Sequence, residues 1–221
     1  MRSKVSSRGV LGFVVGVVLA LGCLAPAAQA YRPRCRPGPG TSTIARSSRA
    51  RIFADFASGN DYACLYSTGH AYYLSSTEHY DYLLVHFAGP YVGFVENIAA
   101  NDDHIGVMNL LTGRQRSYRE VTPIRQTGSS CGSSTPVCYV VCPHVDSLVL
   151  KADGAVAWIA TNFAGEGCIN PPGPVTEVRR HDRRGLTVVA SDTHIAPTSL
   201  RLSGSTLRWT DAGHHRSARL Y

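Results

Sequence analysis

Ser147-Leu148-Val149-Leu150-Lys151-Ala152-Asp153-Gly154-Ala155-Val156-Ala157-Trp158 decides the fold class. Apolar residues run up to an Asp-Gly pair and continue beyond it. Gly supplies the positive φ that a tight hairpin turn requires, so the stretch reads as two antiparallel strands closing on a large aromatic. Two other stretches line up with it: residues 83–94 (LLVHFAGPYVGF) and residues 199–209 (SLRLSGSTLRW). Each is strand, Gly-containing turn, strand, aromatic. The aromatics Phe94, Trp158 and Trp209 are spaced 64 and 51 residues apart and are expected as core anchors of a repeat.

Outward from these hairpins the pattern continues. Residues 106–114 (GVMNLLTGR) parallel residues 177–185 (EVRRHDRRG), each a strand running into a polar turn that ends in Gly. From residue 50 onward no long amphipathic helix is legible. Short runs rich in Val, Leu, Ile, Tyr, Phe and Thr, broken by Gly, Asp, Asn and Ser, give strands at 51–56, 62–66, 82–87, 91–96, 105–110, 116–121, 145–151, 155–160, 176–181, 186–190, 199–202, 206–210 and 217–221.

The pattern S-L-x-L-x-x-(D/G)-x-x-x-x-W followed by V-x-x-x-(D/N)-x-x-x-G is similar to blade repeats of exported bacterial β-propeller proteins, quinoprotein-like and WD-like repeats among them. The resemblance covers most of residues 80–221. It implies an all-β architecture of antiparallel blade-like repeats, a small or partial β-propeller of about three to four blades. It implies no activity and carries no catalytic residue across. Residues 80–121 and 145–190 would each be one blade. Residues 199–221 would share a third sheet with residues 50–74, the way such rings close. A twisted β-sandwich made from the same hairpins is the alternative.

The chain has 221 residues. Residues 1–30 read as a secretory signal peptide: a head with Arg2, Lys4 and Arg8, an apolar run over 10–24, and an Ala28-Gln29-Ala30 exit. An uncleaved anchor and lipidation at Cys23 are the alternatives. Residues 31–49 are rich in Pro, Gly, Ser and Arg and read as an irregular basic arm without a core. Residues 50–221 are then a single all-β domain, secreted or held at the cell surface, with no membrane span after cleavage. That body has 14 basic and 15 acidic residues, which argues against a nucleic-acid partner.

Six cysteines follow the signal: Cys35, Cys64, Cys131, Cys138, Cys142 and Cys168. An even number in an exported chain reads as disulfides, with fifteen possible pairings. Cys131 and Cys138 bracket a small loop. In a hairpin turning at Asp153-Gly154, residues near 142 face residues near 163, so a short bulge brings Cys168 beside Cys142. Cys35 and Cys64 remain, tying down the arm. Zinc held by Cys138, Cys142 and His144 is the rival reading.

No motif assigns catalysis or a cofactor. Gly128-Ser129-Ser130-Cys131-Gly132 matches G-x-S-x-G by letter, yet lacks the strand and helix that a nucleophile elbow needs. Asn101-Asp102-Asp103 gathers oxygens without the spacing of a calcium loop. His79 with Asp81, and Tyr80 with Tyr82, share strand faces and, with His104, form a candidate ligand surface. The wider tyrosine run (Tyr62, Tyr66, Tyr72, Tyr73, Tyr80, Tyr82, Tyr91) suits either glycan stacking or ordinary strand packing. The function expected is an extracellular binding or interaction module whose partner is a cell-envelope polymer or protein. Its rivals are a hydrolase or lyase using His79, Asp81, Asp102, Asp103 and His104, and an envelope structural protein held by its basic arm.

Overall fold

The computed structural model describes residues 34–76, 81–97, 103–118, 142–163 and 175–221. Their regular elements are strands: β1 (Thr41–Arg46), β2 (Ala50–Asp55), β3 (Asn60–Leu65), β4 (Ala71–Ser76), β5 (Asp81–Ala88), β6 (Tyr91–Asn97), β7 (Asp103–Asn109), β8 (Gln115–Tyr118), β9 (Cys142–Leu150), β10 (Val156–Phe163), β11 (Thr176–Asp182), β12 (Gly185–Asp192), β13 (Arg201–Ser203), β14 (Thr206–Asp211) and β15 (His214–Arg219). They form four antiparallel meanders, here sheets I (β1–β4), II (β5–β8), III (β9–β12) and IV (β13–β15). Among the described residues no helix is long and apolar enough to cross a membrane.

The hairpin at Asp153-Gly154 sets the register of sheet III. Val156 faces Leu150, and seven residues on, Phe163 faces Cys142. Gly154 has φ of 86°, and a Cβ there would come within 2.7 Å of the Tyr91 ring. The turn therefore needs Gly for its conformation and again for the close approach of sheet II.

Each junction between successive sheets is a separate apolar core. Ile52, Leu65 and Leu74 of sheet I meet Phe94 and Met108 of sheet II. Val95 and Ile105 of sheet II meet Leu148 and Trp158 of sheet III. Ile159 and Val178 of sheet III meet Leu207 and Trp209 of sheet IV. Phe94, Trp158 and Trp209 thus each fill one junction. Gly106 makes room for Phe94, whose ring lies 2.2 Å from where a Cβ would stand. Sheets II and III are covered on both faces, so β6 and β10 run as nearly unbroken apolar strands. β14 of the end sheet alternates exposed and buried residues from Thr206 to Trp209.

The structure corrects two expectations of the layout. Residues 50–74 and 199–221 do not share a sheet. The former pair within sheet I and the latter within sheet IV, because β1 occupies the edge of β2 and β4 that of β3. Nor are residues 31–49 wholly irregular. Thr41-Ser42-Thr43-Ile44 has the β-branched residues of a strand and lies on the edge of sheet I. Before it, the chain folds onto the outer face of that sheet. Cys35 and Cys64 form a disulfide there, packed with Phe53. The Arg51 guanidinium donates to the carbonyls of Arg34 and Arg36 and stacks 4.0 Å over Phe53. Cys131, Cys138 and Cys168 lie outside the described residues, as do residues 1–30 and Ser130.

The antiparallel order gives the stack two unlike ends. At the turn end sit the short hairpin turns after β1, β3, β5, β7, β9, β11 and β13. At the loop end lie the last residues of β4, β6, β8 and β10 and the first residues of β5, β7, β9 and β11.

Candidate functional site

The charged side chains separate by end and by junction. At the loop end, between sheets I and II, Asp61 of β3 and Glu96 of β6 are buried, at 2% and 8% exposure. Asp61 faces Ser75 across β3 and β4, and Glu96 faces Tyr82 across β6 and β5. The Ser75 and Tyr82 hydroxyls are 2.6 Å apart. Among the described residues no cation pairs with either carboxylate, and Asp61 Oδ1 and Glu96 Oε1 have no hydrogen-bond partner. Burial pushes the Asp61 carboxyl up to about 6, against hydrogen bonds from Tyr82 and Ser75 that pull it down. Burial, and then the Asp61 charge, push Glu96 up to about 7. Burial likewise raises the Tyr82 phenol far above its ordinary value. Burial is the largest cause of all three shifts.

The next junction, sheets II and III, has a buried carboxylate with full partners. Asp103 of β7 is 1% exposed. It accepts from Asn97 Nδ2 at 2.9 Å, from the Val145 N–H at 2.8 Å, and from His144 Nδ1 at 2.9 Å. Burial pushes its carboxyl up, but those three hydrogen bonds outweigh it and hold it below the usual carboxylate range. The Asp103 hydrogen bond raises the His144 imidazole, whose side chain is 45% exposed. A buried acid that fixes one ring nitrogen of a half-exposed histidine can orient a base or a proton donor.

At the turn end the sign reverses. A cavity of about 400 Å³ lies where sheets III and IV meet. Lys151, His181 and Arg183 line it from sheet III, Arg219 and Tyr221 from the end of sheet IV, and Arg116 from β8. The Tyr221 ring is surrounded by guanidinium groups: Arg184 at 3.5 Å from its centroid, Arg180 at 5.4 Å, Arg219 at 5.6 Å and Arg183 at 5.8 Å. These lie within the reach of cation–π attraction. The acids present are occupied. Asp153 pairs with Lys151 at 2.8 Å. Asp182 takes the backbone N–H groups of Arg184 and Tyr221 and faces Arg180 at 3.5 Å. Arg180 also donates to the Arg219 carbonyl. Among the described residues Arg116, Arg183 and Arg219 line the cavity without an ion-paired carboxylate, whereas Arg184 lies close enough to Asp182 to help hold its carboxyl low. Burial, and then the Arg116 charge, lower the His181 imidazole.

A second cavity of about 460 Å³, on sheet IV, is lined by Arg201, Arg208, Trp209, His215 and Arg216. Its cations are mostly engaged: Arg201 donates to the Thr198 and Leu200 carbonyls, and Arg216 pairs with Asp211 at 3.3 Å.

Of the ligand surface expected at the start of β5, Tyr82 and His104 are described, and both lie on a packed face. Tyr82 is half-buried, its ring edge-on to Phe94 at 5.6 Å, and His104 is buried beside Glu96 in the register. Strand alternation explains this, since Tyr82, Glu96 and His104 share the face that packs on sheet I. His79, Tyr80, Asn101 and Asp102 lie outside the described residues, and of Asp81 only its place in β5 is described. Asp103 meets His144, not His104, its neighbour on the opposite face. The tyrosines divide too: Tyr62 stacks on Phe53 on the outer face of sheet I, Tyr72 donates to the Leu111 carbonyl, and Tyr91 packs against the core between sheets II and III. Among the described residues no three His, Cys, Asp or Glu side chains are placed to hold a metal ion.

The cationic cavity escaped the sequence reading because charge was summed over the whole body. Residues 176–221 have eight Arg and four acids, while residues 50–118 have three Arg and seven acids. Counted by segment, the asymmetry is visible before any fold is known. No protein-family model matches the chain, and no curated protein matches it.

Proposed function

We propose that this chain is an exported protein of propeller-like β-repeats that acts outside the cytoplasm as a binding module, with its ligand seated in the turn-end cavity between sheets III and IV. The observation that carries the reading is the set of guanidinium groups without carboxylates around one cavity, which attracts a ligand of opposite charge. Cavities of a few hundred Å³ are the usual size for small ligands and for the recognised unit of a larger one. The Cys35–Cys64 disulfide supports an oxidising compartment, and the basic head, apolar run and Ala-Gln-Ala exit of residues 1–30 support the export signal. The repeated hairpins with an aromatic at each junction support blade-like construction.

The test is retention of envelope material by immobilised protein at low salt, comparing wild type with Arg183→Ala/Arg219→Ala. Retention that falls with the double variant and with added salt supports the module. Equal retention by both proteins rejects the cavity as its site.

One observation favours the hydrolase rival, the Asp103–His144 pair at the loop end. Turnover of ester or glycoside substrates that disappears in His144→Ala would replace the binding reading with an enzymatic one.

A further inference from the structure

We infer that the turn-end cavity recognises a phosphate-bearing ligand with more than one negative charge, such as a short polyphosphate or a polyol phosphate. The inference rests on the binding reading above and names its ligand chemistry. Arg116, Arg183 and Arg219 come from three different sheets and all line the cavity, each with a planar fork of donors. A carboxylate offers two oxygens in one plane and suits one such fork. A tetrahedral phosphate presents three or more oxygens around its centre and accepts from several.

The charge points the same way. Arg116, Arg183 and Arg219 have no ion-paired carboxylate among the described residues, whereas Asp153 and Asp182 are already taken by Lys151, Arg180, Arg184 and backbone N–H groups. One negative charge would leave most of that positive charge unanswered. The cavity, about 400 Å³, admits a few linked phosphate or polyol units. The Tyr221 ring has Arg184 3.5 Å from its centroid, so a stacked base or sugar is not the primary contact there.

Titration calorimetry of the full chain at low salt tests the inference with four probes: tripolyphosphate, glycerol phosphate oligomers, citrate and single-stranded DNA. The expected result is saturable binding of tripolyphosphate, weakened about tenfold by Arg183→Ala and again by Arg219→Ala, and falling as salt rises. Arg183→Lys retains the charge without the fork and is expected to fall between wild type and Arg183→Ala. These arginines are exposed, so circular dichroism is expected to be unchanged. Glycerol phosphate oligomers binding more tightly than tripolyphosphate supports a polymeric source, and the reverse a free phosphate compound. Citrate binding as well as tripolyphosphate overturns the phosphate inference and leaves the binding module standing. DNA as the tightest probe also overturns it, in favour of a nucleic-acid partner. No binding of any probe overturns both.

Discussion

The junction of sheets I and II and that of sheets III and IV are opposites. The first buries two acids, Asp61 and Glu96, and no described cation answers them. The second gathers arginines around a cavity with its two acids already occupied. What separates them is water. In the buried junction the cost of the charge raises the carboxyl groups toward neutral pH. At the open turn end guanidinium groups remain charged and solvated, ready to exchange water for an anion. The middle junction is the control, since Asp103 is equally buried but fully partnered and is held low.

Breaking the control gives the largest effect. Asp103→Ala strands the Val145 N–H and the Asn97 amide and takes away the His144 partner. It is expected to destabilise the fold by about 2–4 kcal/mol in urea unfolding, the cost of leaving buried donors without an acceptor.

The opposite sign is expected at sheets I and II. Raised carboxyl groups bind protons more tightly folded than unfolded, so their stabilising effect is complete below their ordinary values of 3.8 and 4.5. It is lost as pH rises through about 6 and about 7. Wild type should melt at a higher temperature at pH 5 than at pH 8. Asp61→Asn/Glu96→Gln should reduce that difference and stabilise the protein at pH 8 by about 1–3 kcal/mol. A double variant that loses stability at pH 8 would show that the charged acids are compensated as Asp103 is and that the contrast is false.

A smaller loss, about 1–2 kcal/mol, is expected for Gly154→Ala. A side chain at positive φ is strained, and its Cβ would press on Tyr91. The smallest effect belongs to the cavity. Arg183→Ala should change stability by no more than about 0.5 kcal/mol while weakening anion binding, because the exposed guanidinium contributes little to folding. A large loss of stability there would make the arginines structural and erase the distinction between the ends.

The all-β class was legible because the cues are local. Asp153-Gly154 with flanking apolar runs specifies a hairpin, and the predicted facing of residues near 142 and 163 is the register observed. β4 was missed because Ala71-Tyr72-Tyr73-Leu74 has no clean alternation, and β1 because Pro, Gly and Arg dominate its neighbourhood. Sheet order was not legible, since pairing of residues 50–74 with 199–221 and pairing within sheet I satisfy the same apolar pattern. Tyr82 and His104 of the candidate surface lie on a covered face, which the sequence does not announce. A period of two says which residues share a face but not which face is covered. The pairing of Asp103 with His144 joins residues 41 apart in sequence across two sheets, and no local signal announces it.

Backbone amide NMR mapping during a tripolyphosphate titration tests the anion cavity most directly. Shifts confined to the turn end of sheets III and IV, at Lys151, Arg183, Arg219 and Tyr221 and absent in Arg183→Ala/Arg219→Ala, are the predicted result. Shifts centred on the loop end around His144 and Asp146, or none at saturating probe, would contradict it.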